Sequence, residues 1–244
     1  AAANATDDPG DCADGGMIDA DHDGDLDIFV VNADGANELF SNNGDGSFRR
    51  LGLSQGIVGD GVGRQFLAAD LDLDRDLDLV VINDGGGNEI WINDRLWEYR
   101  AAAGMESFRQ ASLQAATIAD LDSDGRPEIY AIDQDGRLLR WRWRPGMWSV
   151  DTLDTVVGDV PQLAVSDFDG DGSLKLVIAS NAGISIRHPA GGMFQLPDSA
   201  GIAGPLLVLN LDIQAGPEIV APVAGGLKRW PPGEGRLPFM GLSF

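Results

Sequence analysis

An all-β propeller of about five four-stranded blades is the fold this sequence predicts. Three observations carry the prediction. An aspartate-rich loop recurs five times, starting at residues 19, 70, 120, 167 and 210, with steps of 51, 50, 47 and 43 residues. An apolar run follows every copy. Turn residues cut each interval into four strand-sized segments, which at this repeat length is the pattern of a propeller blade. No helical period is sustained, and a β-sandwich has no need of the same loop at the same place in every unit.

The elements of each repeat follow in a fixed order. A short strand leads into the loop: residues 17–19, 66–70, 116–120, 163–167 and 206–210. The apolar run after the loop comes next: residues 28–31, 79–82, 129–132, 176–179 and 219–222. Runs of this length, β-branched and bounded by turn residues, read as strands buried on both faces. A glycine-containing turn then leads to a third strand, such as 38–41, 89–92 or 137–144, and a further strand is expected to end in an aromatic at Phe48, Trp97, Trp148 or Phe194. Residues 1–13 are expected to form a tail and residues 14–244 the propeller.

Composition suits such a fold and excludes some functions. Hydrophobic residues make up 43% of the 244, enough for a core, and 33 glycines suit many tight turns. The net charge of −22 excludes a nucleic-acid partner, because phosphate binding needs a basic footprint. No apolar run approaches the ~18–20 residues that span a membrane, so membrane insertion is not expected. The one cysteine, Cys12, is read as free. The stretch from Ala1 to Thr6 reads as a terminus left after signal cleavage, and Asn4-Ala5-Thr6 fits a glycosylation sequon.

The acids are clustered, and like charges packed closely repel unless cations offset them. In a tight loop, alternate residues converge on one point. Positions 1, 3 and 5 offer carboxylates, position 7 its carbonyl and position 9 another carboxylate, while glycine at position 6 permits the turn. The first loop supplies Asp19, Asp21, Asp23, the Asp25 carbonyl and Asp27. The second supplies Asp70, Asp72, Asp74, the Asp76 carbonyl and Asp78, with Arg75 in the glycine position. The third supplies Asp120, Asp122, Asp124, the Arg126 carbonyl and Glu128. The fourth offers Asp167, Asp169, Asp171 and the Ser173 carbonyl, but Lys175 replaces the last acid and weakens the site. The fifth, with Asn210, Asp212, Gln214 and Glu218, is expected to be empty.

A helical EF-hand is excluded, because position 12 is Val30, Val81, Ala131 or Ile178 where an EF-hand carries glutamate. Many flexible oxygens favour calcium over magnesium, and His22 and His188 form no cluster that suits zinc. About three to four calcium ions are expected. The plainer reading, an aspartate-rich turn without metal, fits a single copy better than three in register.

With these loops, the strand Leu26–Asn32 and the stretch Asn37–Phe48, the chain resembles the FG-GAP/VCBS repeat family, whose blades also form integrin α-subunit propellers. The resemblance implies a propeller with loop-bound calcium, a secreted or periplasmic location, and an adhesive or scaffolding role. Rings of that family commonly have seven blades.

No nucleophile constellation is visible, and neither G-x-S-x-G nor H-E-x-x-H occurs. In the stretch from Leu138 to Trp148, Trp141 and Trp143 share one strand face, and Arg140, Arg142 and Arg144 the other. Trp141, Trp143 and Trp230 are candidate sugar or partner contacts. The competing reading packs them between blades, with the arginines balancing acids. The expected function is a non-enzymatic, calcium-stabilised extracytoplasmic binding or scaffold module for protein–protein interaction or adhesion, as an accessory subunit of a larger assembly. A carbohydrate-binding lectin is the alternative and a polysaccharide lyase the further one.

Overall fold

The structure, a computed structural model, describes residues 10–51, 57, 59, 61–95, 98–144, 147–211 and 216–232. Its strands form five antiparallel sheets arranged as a five-bladed propeller. Blade one is β1 (Cys12–Ile18), β2 (Asp27–Asn32), β3 (Glu38–Asn42) and β4 (Phe48–Arg50). Blade two is β5 (Gly63–Ala69), β6 (Asp78–Asn83), β7 (Glu89–Asn93) and β8 (Tyr99–Ala101). After the short helix α1 (Glu106–Gln110), blade three is β9 (Leu113–Ala119), β10 (Glu128–Asp133), β11 (Arg137–Arg144) and β12 (Met147–Thr155). Blade four is β13 (Gln162–Ser166), β14 (Lys175–Ser180), β15 (Gly183–Arg187) and β16 (Met193–Gln195). Blade five shows β17 (Leu207–Leu209), β18 (Glu218–Val223) and β19 (Gly226–Trp230) among the described residues. In each sheet the strands lie side by side in chain order. No described helix is long and apolar enough to cross a membrane.

The second strand of a blade is buried on both sides, as its unbroken apolar pattern requires: β6, β10 and β14 are buried at every position. Alternate side chains of a strand point to opposite faces, so these strands serve two cores each. Leu79 and Val81 pack with Phe29 and Val31 of blade one, while Val80 and Ile82 pack with Ile129 and Ala131 of blade three. Tyr130 and Ile132 meet Leu176 and Ile178 of blade four. Val177 and Ala179 meet Ile219 and Ala221 of blade five. Among the described residues, each of these cores thus lies between two blades.

Polar clamps join the inner strands across the same seams. Gln65 of β5 donates through Nε2 to the Ala116 carbonyl (2.9 Å) and accepts from the Ala116 amide (3.0 Å). Gln162 of β13 repeats this with the Gly204 carbonyl (2.8 Å) and the Leu206 amide (2.6 Å). Asp14 of β1 accepts from the Phe66 amide at 2.8 Å. The clamps use backbone groups that a bare strand edge leaves unpaired.

Several boundaries differ from expectation. β1 begins at Cys12, inside the segment expected to be a tail, because it pairs with β2 as far as Asn32. The aromatics open or occupy the outer strand and do not end it: Phe48 is the first residue of β4, Trp148 the second of β12, and Phe194 the middle of β16. Trp97, residues 1–9 with the sequon, and the side chain of Arg144 lie outside the described residues. α1 was not expected, since a five-residue helix is too short to impose a period. Replacing Gln65 by alanine strands the Ala116 amide and carbonyl, and unfolding in denaturant should then show a loss of ~2 kcal/mol.

Candidate metal centre

The four complete loops share one backbone, each joining the first and second strands of its blade. Position 4 and position 6 both take positive φ: His22 (63°) and Gly24 (92°), Leu73 (68°) and Arg75 (82°), Ser123 (58°) and Gly125 (83°), Gly170 (69°) and Gly172 (86°). Non-glycine residues enter this region at a steric cost, so the loop's own hydrogen bonds must hold them there. The first carboxylate does so by accepting the amide of position 6, as Asp19 does from Gly24 (3.2 Å), Asp70 from Arg75 (3.0 Å), Asp120 from Gly125 (2.8 Å) and Asp167 from Gly172 (3.0 Å). The carboxylate of position 5 accepts the amide of position 7: Asp23 from Asp25 (2.8 Å), Asp74 from Asp76 (3.0 Å), Asp124 from Arg126 (3.0 Å) and Asp171 from Ser173 (2.8 Å).

Wound in this way, the loops bring carboxylate oxygens within 4.8 Å of one another in four groups: Asp19, Asp21 and Asp27; Asp70, Asp72 and Asp78; Asp120, Asp122 and Asp124; Asp167, Asp169 and Asp171. Such groups can hold a metal ion. The fit can be tested on buried oxygens without a hydrogen-bond partner. Asp19 Oδ1 and Asp72 Oδ1 are such atoms, in the groups of the first and second loops. A buried acceptor left unpaired is costly, and a cation supplies the missing partner.

Position 9 has a second task. Asp27 accepts the Ala20 amide (2.9 Å) and the Asn42 amide (2.8 Å), and Asp78 accepts those of Leu71 (2.7 Å) and Asn93 (2.9 Å). The same carboxylate therefore ties the loop to the third strand of its blade. Burial pushes the Asp78 carboxyl up to about 7, against the pull of those two amides, and raises Asp27 as well. Asp72 is raised by burial and by the neighbouring Asp74.

Other expected ligands are placed differently. Asp23 and Asp74 stand outside the closest groups of their loops. Glu128 is turned away from Asp120, Asp122 and Asp124: it accepts from the Tyr130 hydroxyl at 2.5 Å and lies 3.6 Å from Arg140 Nη1. The side chain of Asp76, expected to offer only a carbonyl, is buried and stands 3.1 Å from His22 Nδ1, linking the first loop to the second. Nothing in the spacing signals that link. In the fourth loop the Lys175 side chain is fully buried among the three aspartates, so the group is already in contact with a positive charge. Residues 212–215, with Asp212 and Gln214 of the fifth loop, lie outside the described residues. Glu218 keeps the position-9 role there by accepting the Leu211 amide at 2.8 Å.

The tryptophans separate. Trp141 is 1% exposed, meets Phe108 edge to face at 5.3 Å and donates to Ser107 Oγ at 3.1 Å. Trp230, also 1% exposed, donates to the Pro197 carbonyl at 3.2 Å. Both are core, which decides for packing between blades over surface contact at these two positions. Strand alternation gives them a face but does not say that a neighbouring blade covers it. Trp143 is half-buried, with the Arg126 guanidinium 5.6 Å from its ring, and lines a cleft of about 340 Å³ together with Leu71, Asp72, Arg100 and Trp148. Arg140 and Arg142 both pair with Asp151, at 3.1 and 2.6 Å, as charge balancing requires.

Comparison with known proteins matches the loop-to-loop unit. A family model described as FG-GAP-like repeat covers residues 19–81, 70–131 and 120–178, each span running from one loop through the second strand of the next blade. Cartilage acidic protein 1 of Xenopus tropicalis is 30% identical over 182 residues, covering 67% of this chain and 27% of that protein, and the Homo sapiens protein is 29% identical over 179. The chain thus spans about a quarter of the length of these relatives. Among solved structures, an Agrocybe aegerita lectin recognising non-reducing terminal N-acetylglucosamine superposes with a TM-score of 0.60 at 17% identity, covering 86% of this chain and 61% of that one. The V. cholerae biofilm matrix protein Bap1 gives 0.55 at 19% identity, covering 92% and 38%. At these identities the likeness is one of fold.

Asp78 also sets a pH dependence. Its carboxyl loses a proton near ~3.9 when unfolded and at about 7 when folded. Between those values only the unfolded chain is ionised, so stability in chelator should fall as pH rises through the window, by on the order of 1.4 kcal/mol per unit at most. Thermal melts from pH 4 to 8 in chelator should show the slope, and Asp78→Asn should flatten it.

Proposed function

This chain belongs to the FG-GAP-like repeat family, and from that premise we propose that it is a non-catalytic, calcium-stabilised binding and scaffold module that works outside the cytoplasm. The observation that carries the metal half is the unpartnered buried oxygen in the aspartate group of each of the first two loops, Asp19 Oδ1 and Asp72 Oδ1; the third loop shares their backbone and closely spaced carboxylates. The donors there are all oxygens, which suits a hard cation with flexible coordination. Calcium offsets the repulsion between the carboxylates and braces two left-handed residues in every turn. Asp19, Asp21 and Asp27 would hold it in the first loop, Asp70, Asp72 and Asp78 in the second, and Asp120, Asp122 and Asp124 in the third.

The binding half rests on weaker but concordant support. The loop aspartates are hydrogen-bonded within their turns, and His22 and His188 sit in different blades, so no acid–base or nucleophile set is assembled from these residues. One relative is a cartilage protein and one structural neighbour a biofilm matrix protein, names that fit a scaffold engaging other proteins. Chelation should lower the melting temperature, since an ion bound only by the folded state at ~100 times its Kd adds ~2.7 kcal/mol per site. Unchanged melting, with no calcium by elemental analysis, overturns the reading.

A second reading is favoured by the cleft at Trp143. Its volume lies within the range of small-ligand sites. It sets the rings of Trp143 and Trp148 beside Asp72 and Arg100, which pair at 3.7 Å. A pyranose has the matching character, with an apolar face for an indole and hydroxyls for charged groups. That one structural neighbour is a lectin recognising non-reducing terminal N-acetylglucosamine supports this reading. A glycan array should give a signal that Trp143→Ala abolishes without changing the melting temperature; no signal, or one indifferent to that substitution, rejects a sugar site there.

A further inference from the structure

We infer that the fourth loop carries its own cation: the Lys175 ammonium takes the place that an ion takes in the first three loops, and blade four holds its turn without metal. This rests on the calcium reading of those three loops. Lys175 is fully buried and starts β14 at position 9, where the first two loops have Asp27 and Asp78. Its Nζ contacts Oδ1 of Asp169 and of Asp171, lies 3.4 Å from Asp167 Oδ1, and donates to the Ser173 carbonyl at 2.9 Å. These are the donors of positions 1, 3, 5 and 7, the set from which the loop would otherwise coordinate an ion.

Three further observations agree. The backbone of the fourth loop has the left-handed residues and amide bonds of the others, so the turn is fully wound around the ammonium. None of Asp167, Asp169 and Asp171 is among the buried oxygens without a partner, unlike Asp19 and Asp72. The charge also matches. Four carboxylates about a divalent ion, as at positions 1, 3, 5 and 9 of the first loop, leave the same residual charge as three carboxylates about one ammonium. Exchanging the position-9 acid for lysine therefore replaces the ion with little change in the local field.

The neighbouring blades lean the same way. In blades three and five the position-9 acid is a glutamate facing an arginine from the third strand: Glu128 is 3.6 Å from Arg140, and Glu218 is 3.8 Å from Arg229. Both arginines stand opposite position 11, at Tyr130 and Val220. In blades one and two that place holds Leu39 and Ile90. From blade three onward, then, a positive side chain stands at or beside position 9.

Counting calcium ions by native mass spectrometry tests the inference on the full chain. Lys175→Asp restores the acid of position 9 and should bind one ion more than wild type. Asp169→Asn should leave the wild-type count unchanged while lowering the melting temperature equally in calcium and in chelator. Loss of an ion in Asp169→Asn overturns the inference, as does a folded Lys175→Asp that gains none. If Lys175→Asp does not fold, the Asp169→Asn count decides alone. The inference is read from differences between variants and the calcium reading from the wild-type number, so a wild-type count of zero overturns only the latter.

Discussion

Carboxylates held within 4.8 Å of one another repel unless positive charge lies between them. That constraint sits at the turn between the first and second strands of the blades, and the rest of each blade is hung on it. The position-9 residue illustrates this. Asp27 and Asp78 face the cluster on one side and accept an amide of the third strand on the other. A turn left uncompensated loosens the very strand that fills the two neighbouring cores. Charge compensation and hydrophobic packing are therefore coupled through single side chains, and neither is local to the loop.

The seams between blades carry the second dependence. Because Leu79 and Val81 point to one neighbour and Val80 and Ile82 to the other, a blade buries its faces only by being stacked. The side-chain clamps of Gln65 and Gln162 add hydrogen bonds where the inner strands come together. Nearest-neighbour coupling of this kind is characteristic of repeat proteins. It lets stability pass along the ring from blade to blade, and it lets a perturbed loop be felt in the adjacent cores.

Much of this was legible in the sequence, and the limits have physical causes. The repeat, the strand order and the first two aspartates of each loop could be read, because positions 1 and 3 converge in all four turns, while the third member is position 9 in two loops and position 5 in the other two. Left-handed residues at position 4 gave no sign, since His22, Leu73 and Ser123 are not the glycines that usually mark positive φ. Alternation placed Trp141 and Trp143 on one face but could not tell which of them a neighbouring blade and α1 would cover. Glu128 looked like a ligand because it is an acid at the right position. Its extra methylene and the proximity of Tyr130 and Arg140 draw it elsewhere. Lys175 was read as a defect, because a sequence shows that lysine cannot coordinate a cation but not that its flexible stem can carry a charge into the cluster.

The fourth loop has a genetic consequence. Codons for glutamate and lysine differ by a single base, and glutamate already stands at position 9 in blades three and five. One point mutation can therefore exchange a turn that waits for an environmental ion for one that is complete when the chain leaves the ribosome. In a repeat protein such exchanges act separately on each copy. On the calcium reading proposed above, the ion level at which the blades stiffen becomes a trait that selection can adjust blade by blade, without touching the fold.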